Sequence, residues 1–511
     1  MRRLAVLLVA AVTAATTVLV GAAPAHAAGP TLPSADPFYQ YANTAQGKAG
    51  VPLASIPPGT VLAERTVDLG LGTQTAPTPT GLPLPATLPT TAEQLLYRTA
   101  DEQGRPSVTV TTVIEPATGA VAPKIVAYLS FYDALSGKCD PSFTLQGGDP
   151  GSANQTLTEA EQALVEAYAA DAVVTVPDFE GEGLDWTAGY EAGYDTLDAI
   201  RATESYLEAP ASTDVGLTGY SGGSIAADWA SELAPAYAPE LNIVGVAEGG
   251  IPVDFAHNLV YINGSQDWSG VIPAVLEALG RAFGLDLPTY LSPLGMQLTA
   301  KDRTECIGEF SGTTPGLTIA QLLKPQYQDI LHVAAFDDII NKLIMGTAPG
   351  HPKGPLLMGV GNDPKNAQGQ GDDVMVTADV EALAHEYCSQ GVQVEYHEYQ
   401  NSSHEQAALQ FEPEAIAFLQ QRFAGVPFTT SSCASIGPGS SLAPLTPSAG
   451  TTPPSAATTR PPAGGTTTAS GRTAGGDLAF TGTDPAVALV ALALVAGGAT
   501  GLGLRRRTRR R

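Results

Sequence analysis

Basic residues are scarce in this 511-residue chain: 25 Lys and Arg stand against 51 Asp and Glu, a formal charge of −26. So acidic a surface repels nucleic acid and anionic membranes, and no nucleic-acid partner is expected. Cysteine is also rare, with only Cys139, Cys306, Cys388 and Cys433. No two of them stand at ligand spacing, which argues against a metal site. No internal repeat recurs, so a repeat architecture is excluded. Long apolar runs are confined to the two ends.

Those ends carry signals of their own. Arg2 and Arg3 precede an apolar run from Leu4 to about Val20, and Ala25-His26-Ala27 supplies the small-x-small pattern that a signal peptidase reads. Residues 1–27 are therefore expected to be a cleaved signal peptide. The other end reads Leu478-Ala479-Phe480-Thr481-Gly482, an apolar stretch from Pro485 to Leu504, and an arginine-rich tail to Arg511. The order resembles a Gram-positive sortase signal, 478–511, with Ala479 where Pro usually stands. That resemblance implies cleavage between Thr481 and Gly482 and attachment to the cell wall. A stretch of about 20 apolar residues can also just span a bilayer, so retention in the membrane is the alternative.

Between the ends, residues 426–477 shift to Thr, Pro, Ser, Ala and Gly, a composition predicted to form a disordered spacer. This leaves 28–425 as the folded domain, long enough for one large core. Setting aside Arg2, Arg3, Asp484 and the six terminal arginines, 17 basic residues face 50 acidic ones, a balance of −33. In an exported chain an even number of cysteines favours two disulfides, and three pairings are open.

Within 28–425, short apolar runs recur at intervals that leave room for helices: Lys124–Leu129, Ala172–Val176, Val215–Thr218, Leu241–Val246, Pro355–Gly359 and Val392–Tyr396. Such alternation predicts an α/β fold with a mostly parallel central sheet and helices on both faces. Glu93–Arg98 and Ser107–Ile114 flank Gly104-Arg105 and read as an antiparallel hairpin at one edge. From about 252 to 352 the alternation stops. Val271–Phe283, Ile319–Leu331 and Ala334–Met345 show helical spacing there, which predicts a helical cap inserted over the carboxyl edge of the sheet.

Gly219-Tyr220-Ser221-Gly222-Gly223 is the sharpest motif. In a chain with 55 glycines the bare pattern is weak, but here it ends a strand and opens a helix in which Ile225, Trp229 and Leu233 share a face. That setting is what a nucleophile elbow requires: the glycines permit a tight turn, Ser221 projects above the sheet, and the Gly222 N–H points at a developing oxyanion. A serine nucleophile needs a base, and the base an orienting carboxylate. His404, in a polar loop ahead of a helix expected from Glu412, is the candidate base. His397 lies inside a strand and reads as a packing or surface residue. Asp363, Asp372 and Asp373 all follow the strand before it, and loop chemistry alone leaves the acid open among them.

The elbow, together with Trp229–Pro235, Tyr237–Leu241, Pro57–Leu62 and Asp178–Gly181, resembles the secretory lipase family of fungi and bacteria over about Asp36 to Phe423. The resemblance implies an α/β-hydrolase fold and a triad of Ser221, Asp372 and His404. Asp372 corresponds through Asp372-Asp373-Val374, although the longer loop after Gly361 keeps Asp363 open. At Tyr132-Asp133 it implies an oxyanion hole shared by Asp133 and Gly222, which requires the Asp133 backbone N–H or a protonated carboxyl as donor. It also implies the disulfides Cys139–Cys306 and Cys388–Cys433.

The expected function is hydrolysis of carboxylic esters, above all acylglycerols, through an acyl-enzyme and without a cofactor. The partners are then a lipid or other ester substrate and, during export, signal peptidase and sortase. An acyltransferase, an amidase or a catalytically inert wall-displayed binding scaffold would use the same fold.

Overall fold

The computed structural model describes residues 29–71, 87–117, 123–148, 152–363 and 371–446. The signal segment, the sorting element with Thr481 and Gly482, and the spacer beyond Thr446 lie outside the described residues. Among those described, no helix is long and apolar enough to cross a membrane.

Nine strands form one sheet in the order β1-β2-β3-β5-β4-β6-β7-β8-β9. β1 (Val61–Asp68), β2 (Thr91–Ala100) and β3 (Pro106–Ile114) are antiparallel neighbours, and β3 meets β5 (Val173–Pro177) antiparallel as well. From there β5, β4 (Ile125–Leu129), β6 (Asp214–Tyr220), β7 (Asn242–Gly249), β8 (Leu356–Asn362) and β9 (Val394–Gln400) run parallel. The expected hairpin and all six parallel strands are present. β1 is an addition: its Glu64, Arg65 and Thr66 break the apolar pattern because it sits at the sheet edge.

Side chains alternate between two cores, as the strand period demands. On β4, Ile125, Ala127 and Leu129 face one side, with the helices Gly189–Tyr206, Gly222–Tyr237 and Thr377–Ser389. Val126 and Tyr128 face the other, with Gln155–Tyr168 and His404–Phe423. Placing β4 between β5 and β6 makes the chain switch faces there. Crevices at the carboxyl ends of strands open at such switch points.

Between β7 and β8 the chain forms helices and isolated bridges. Phe255–Ile262, Val271–Phe283, Pro293–Asp302 and Ala334–Ile340 are the longer helices. The helix expected over Ile319–Leu331 is shorter, ending at Leu322, because Pro325 and its preceding residue favour extended or turn backbone. The last helix starts at His404, well before Glu412. Ser403 caps it, its Oγ accepting from the Gln406 N–H while the Gln406 side chain accepts from the Ser403 N–H. Pro413, which resembles a helix-start signal, lies in the interior.

The stretch expected to be a disordered spacer from Val426 begins instead as an ordered strap. The Ser432 N–H donates to the Val394 carbonyl and its Oγ accepts from the Tyr396 N–H, so the strap covers the outer edge of β9. Cys433 is bonded to Cys388. Farther on, Gly437 donates to Glu381, the Ser440 N–H to the Ala378 carbonyl, and Leu445 exchanges two hydrogen bonds with the Asn341 side chain in the cap. Such pairing satisfies the backbone without an apolar pattern, which is why composition alone misread it.

Replacing Cys388 and Cys433 together by Ser frees a loop of sequence separation 45. The expected loss is about 2–4 kcal/mol of stability, read as a lower thermal midpoint. An unchanged midpoint would show that the strap contributes nothing to the fold.

Candidate active site

Four loops at the carboxyl ends of β4, β6, β8 and β9 bring Asp133, Ser221, Asp372 and His404 together. Ser221 sits between β6 and the helix Gly222–Tyr237 with φ 54° and ψ −122°, a strained conformation for a residue with a Cβ. Its N–H donates to the Gly249 carbonyl of β7 at 2.8 Å. The turn is tight enough that a Cβ on Gly219 would lie 2.2 Å from the Gly223 carbonyl oxygen, and one on Gly223 2.0 Å from that of Leu129. Glycine at both positions follows from that close approach.

Ser221 Oγ lies 2.9 Å from His404 Nε2, and His404 Nδ1 lies 2.9 Å from Asp372 Oδ2. With its proton on Nδ1, held by the carboxylate, the imidazole presents Nε2 as an acceptor to the serine. Burial opposes a charge on His404, but the Asp372 carboxylate outweighs it and holds the imidazole above its ordinary value. Asp372 is fully buried. Its Oδ1 accepts from the N–H groups of Val374 and Met375, and its carbonyl from the His404 N–H. Of the three candidate aspartates, this is the one whose carboxylate reaches His404. Asp363 donates its N–H to the Gly371 carbonyl, and Asp373, at φ 89°, turns toward Tyr261.

Asp133 also faces this site. It is buried at φ 37°, and a Cβ on Gly222 would lie 1.6 Å from its Oδ1, so the carboxyl rests directly on the start of the elbow helix. Burial pushes the carboxyl up to about 7, against the pull of His404 and the Trp186 indole. The next residue is anchored: the Ala134 N–H donates to both oxygens of Glu180, and Ala134 bridges to Cys306. The Cys139–Cys306 disulfide closes the loop onto the cap. Both disulfides have the pairing that the family resemblance implied.

Several residues around the site were assigned no role from the sequence. The Tyr220 ring packs 5.0 Å from His404 and its hydroxyl donates to the His404 carbonyl at 2.7 Å. Trp268, from the cap, meets the imidazole edge-on at 5.7 Å. Trp186, from the loop after β5, approaches Asp133. The one available signal was scarcity: the chain has only three tryptophans, and the third, Trp229, packs in the elbow helix. His397 instead bridges Glu395 and Glu414 away from the serine.

Comparison with known proteins supplies the family and the fold. A family model described as Secretory lipase matches residues 150–431. A Mycobacterium tuberculosis protein named Probable inactive lipase MT1628 is 34% identical over 414 residues, covering 78% of this chain and 84% of its own length. Lipase A of Arthroderma benhamiae is 32% identical over 414 residues, covering 78% of this chain and 81% of its own. The X-ray structure of Candida antarctica lipase A superimposes with a TM-score of 0.69 at 26% identity, covering 83% of this chain and 93% of that one. On its fold, its elbow and these similarities, the chain belongs to the secretory lipase family and has the α/β-hydrolase fold.

Proposed function

We propose that this protein is a serine hydrolase of carboxylic esters, acting on lipid substrates of the triacylglycerol class through an acyl-enzyme. The carrying observation is the unbroken relay from Ser221 Oγ through His404 to Asp372, with both contacts at 2.9 Å. Ser221 attacks the ester carbonyl while His404 Nε2 takes its proton and then delivers it to the leaving alkoxide. A water activated by the same nitrogen then releases the acid. Asp372 holds the imidazole in the required tautomer. The oxyanion is met by the Gly222 N–H at a helix start and by the neutral carboxyl of Asp133, whose burial favours the protonated form.

One relative carries the description of an inactive lipase, so an inert scaffold is the competing reading. This chain retains all three triad side chains in contact, which a binding scaffold does not require. The test is turnover of p-nitrophenyl esters and a triacylglycerol emulsion by the protein and its Ser221→Ala variant. Loss of about 10⁴-fold or more in kcat is expected. A folded wild-type protein with no turnover on any ester would leave the inert reading standing.

The pH dependence follows from two groups. His404 must be neutral to accept the serine proton, so activity rises with pH through a value above the ordinary 6.5 of histidine. Asp133 must be protonated to donate, so activity falls as pH rises past about 7. Because the two groups feel each other's charge, the limbs belong to the pair, and a narrow bell centred near neutrality is expected for kcat/KM. Asp133→Asn supplies a donor at every pH and is expected to remove the alkaline limb and, by taking away a charge that raises His404, to move the acid limb to lower pH. Retention of that limb would rule out the Asp133 role.

We further propose that the protein is exported through residues 1–27 and displayed on the cell wall after cleavage between Thr481 and Gly482, with a spacer from about 447 to 477. The family's secretory description and the terminal sequence patterns support this. Thr481→Ala is expected to move the protein from the wall fraction to the membrane fraction, and an unchanged distribution would refute sortase processing.

A further inference from the structure

Two polar groups beside the candidate oxyanion site are buried without a well-formed hydrogen bond: Asp133 Oδ1 and Trp186 Nε1. Buried donors and acceptors are nearly always paired, so an unpaired set at one site calls for a functional explanation. The two groups belong to the same pocket, since the indole N–H acts on the Asp133 carboxyl. Contacts of this kind are commonly long in a resting enzyme and tighten when substrate is bound.

The loop that delivers Trp186 is held in place at some conformational cost. Leu184 at φ 53° and Thr187 at φ 74° flank the tryptophan in left-handed backbone that residues with a Cβ disfavour. The turn is pinned by the Asp185 N–H on the Glu180 carbonyl and the Ala188 N–H on that of Asp185. The indole packs 5.6 Å from Phe310 in the cap, next to the segment that Cys306 bonds to the Asp133 loop. Ring packing alone would be served by phenylalanine. The N–H, buried without a partner and acting on the Asp133 carboxyl, is what distinguishes tryptophan here.

A neutral carboxyl can carry its proton on either oxygen, and only one placement serves an oxyanion. We propose that Trp186 is a positioning residue for the reaction: its indole N–H bonds one oxygen of the Asp133 carboxyl and thereby keeps the proton on the other, directed to the oxyanion beside the Gly222 N–H. This rests on the reading of Asp133 as an oxyanion donor. Oδ1, buried without a partner like the indole N–H, is the oxygen suited to accept that bond, which leaves the proton to Oδ2. The role parallels that of a triad carboxylate, which fixes the tautomer of its histidine without touching substrate. The charged and titratable groups facing Asp133 are His404 from the last helix, Glu180 from the loop after β5 and Glu161 from the helix Gln155–Tyr168.

Trp186→Phe keeps the ring and removes the donor. In p-nitrophenyl ester hydrolysis we expect kcat to fall about 10-fold with KM little changed. The indole N–H favours the charged carboxyl, so the alkaline limb of kcat/KM should also move to higher pH. A merely structural role would not move that limb. In the Asp133→Asn background, the same substitution should cost less than in the wild type, because an amide has no proton to misplace. If Trp186→Phe does not fold, the isosteric benzothienyl-alanine at position 186 removes the N–H at constant shape and gives the same readouts. An unshifted alkaline limb with unchanged kcat, in a protein whose limb Asp133→Asn abolishes, would overturn this proposal alone. A limb that survives Asp133→Asn would overturn the Asp133 reading beneath it.

Discussion

At the crossing of β4, β6 and the helix Gly222–Tyr237, the backbone of Gly223 lies so close to the Leu129 carbonyl that no Cβ fits between them. Everything at the site depends on this contact. It sets Ser221 in its left-handed conformation at the mouth of the switch point between β4 and β6, and it brings the loop after β4 against Gly222. The carboxyl of Asp133 then occupies the space that a side chain at 222 would fill. Ser221, the helix N-terminus and the Asp133 carboxyl thus come together through one packing constraint, and strain at Ser221 is sustained because strands on both sides leave it no alternative.

The acidic character of the chain takes a different form inside than outside. On the surface it makes for solubility; around the site, carboxyls are buried with few cations near them. Asp133 and Glu180 lie on adjacent loops, and burial raises both. A protonated carboxyl is a hydrogen-bond donor, so a low local dielectric can give an abundant acidic side chain the donor role proposed above for Asp133. His404 is the counterpoint, because contact with the Asp372 carboxylate offsets its burial.

The two disulfides and the strap act at the boundaries between parts. Cys139–Cys306 joins the Asp133 loop to the cap, and Cys388–Cys433 pins the strap to the helix Thr377–Ser389 that follows the Asp372 loop. The strap continues to Asn341, so the cap is held from the oxyanion side and from the C-terminal side. The loops that carry Asp133 and Asp372 are therefore tied to rigid elements.

Much of this was legible in the sequence wherever a single local rule governs. The parallel strands announce themselves as short apolar runs because both faces of the sheet are buried, and Ser221 and His404 are marked by what precedes and follows them. Rules of that kind fail where partners are distant in the chain. Asp363, Asp372 and Asp373 are equivalent as loop residues, and only the approach of the His404 helix singles out Asp372. The strap reads as disordered because it is held by hydrogen bonds to β9, Ala378 and Asn341 rather than by its own apolar pattern. Trp186 carries no local mark at all. The sequence by itself determined the fold class and the order of the chemical groups, since those follow from periodicity and turn chemistry. Which carboxylate meets the imidazole, and which indole meets Asp133, was decided by tertiary structure alone, because proximity across the fold is not a property of any segment.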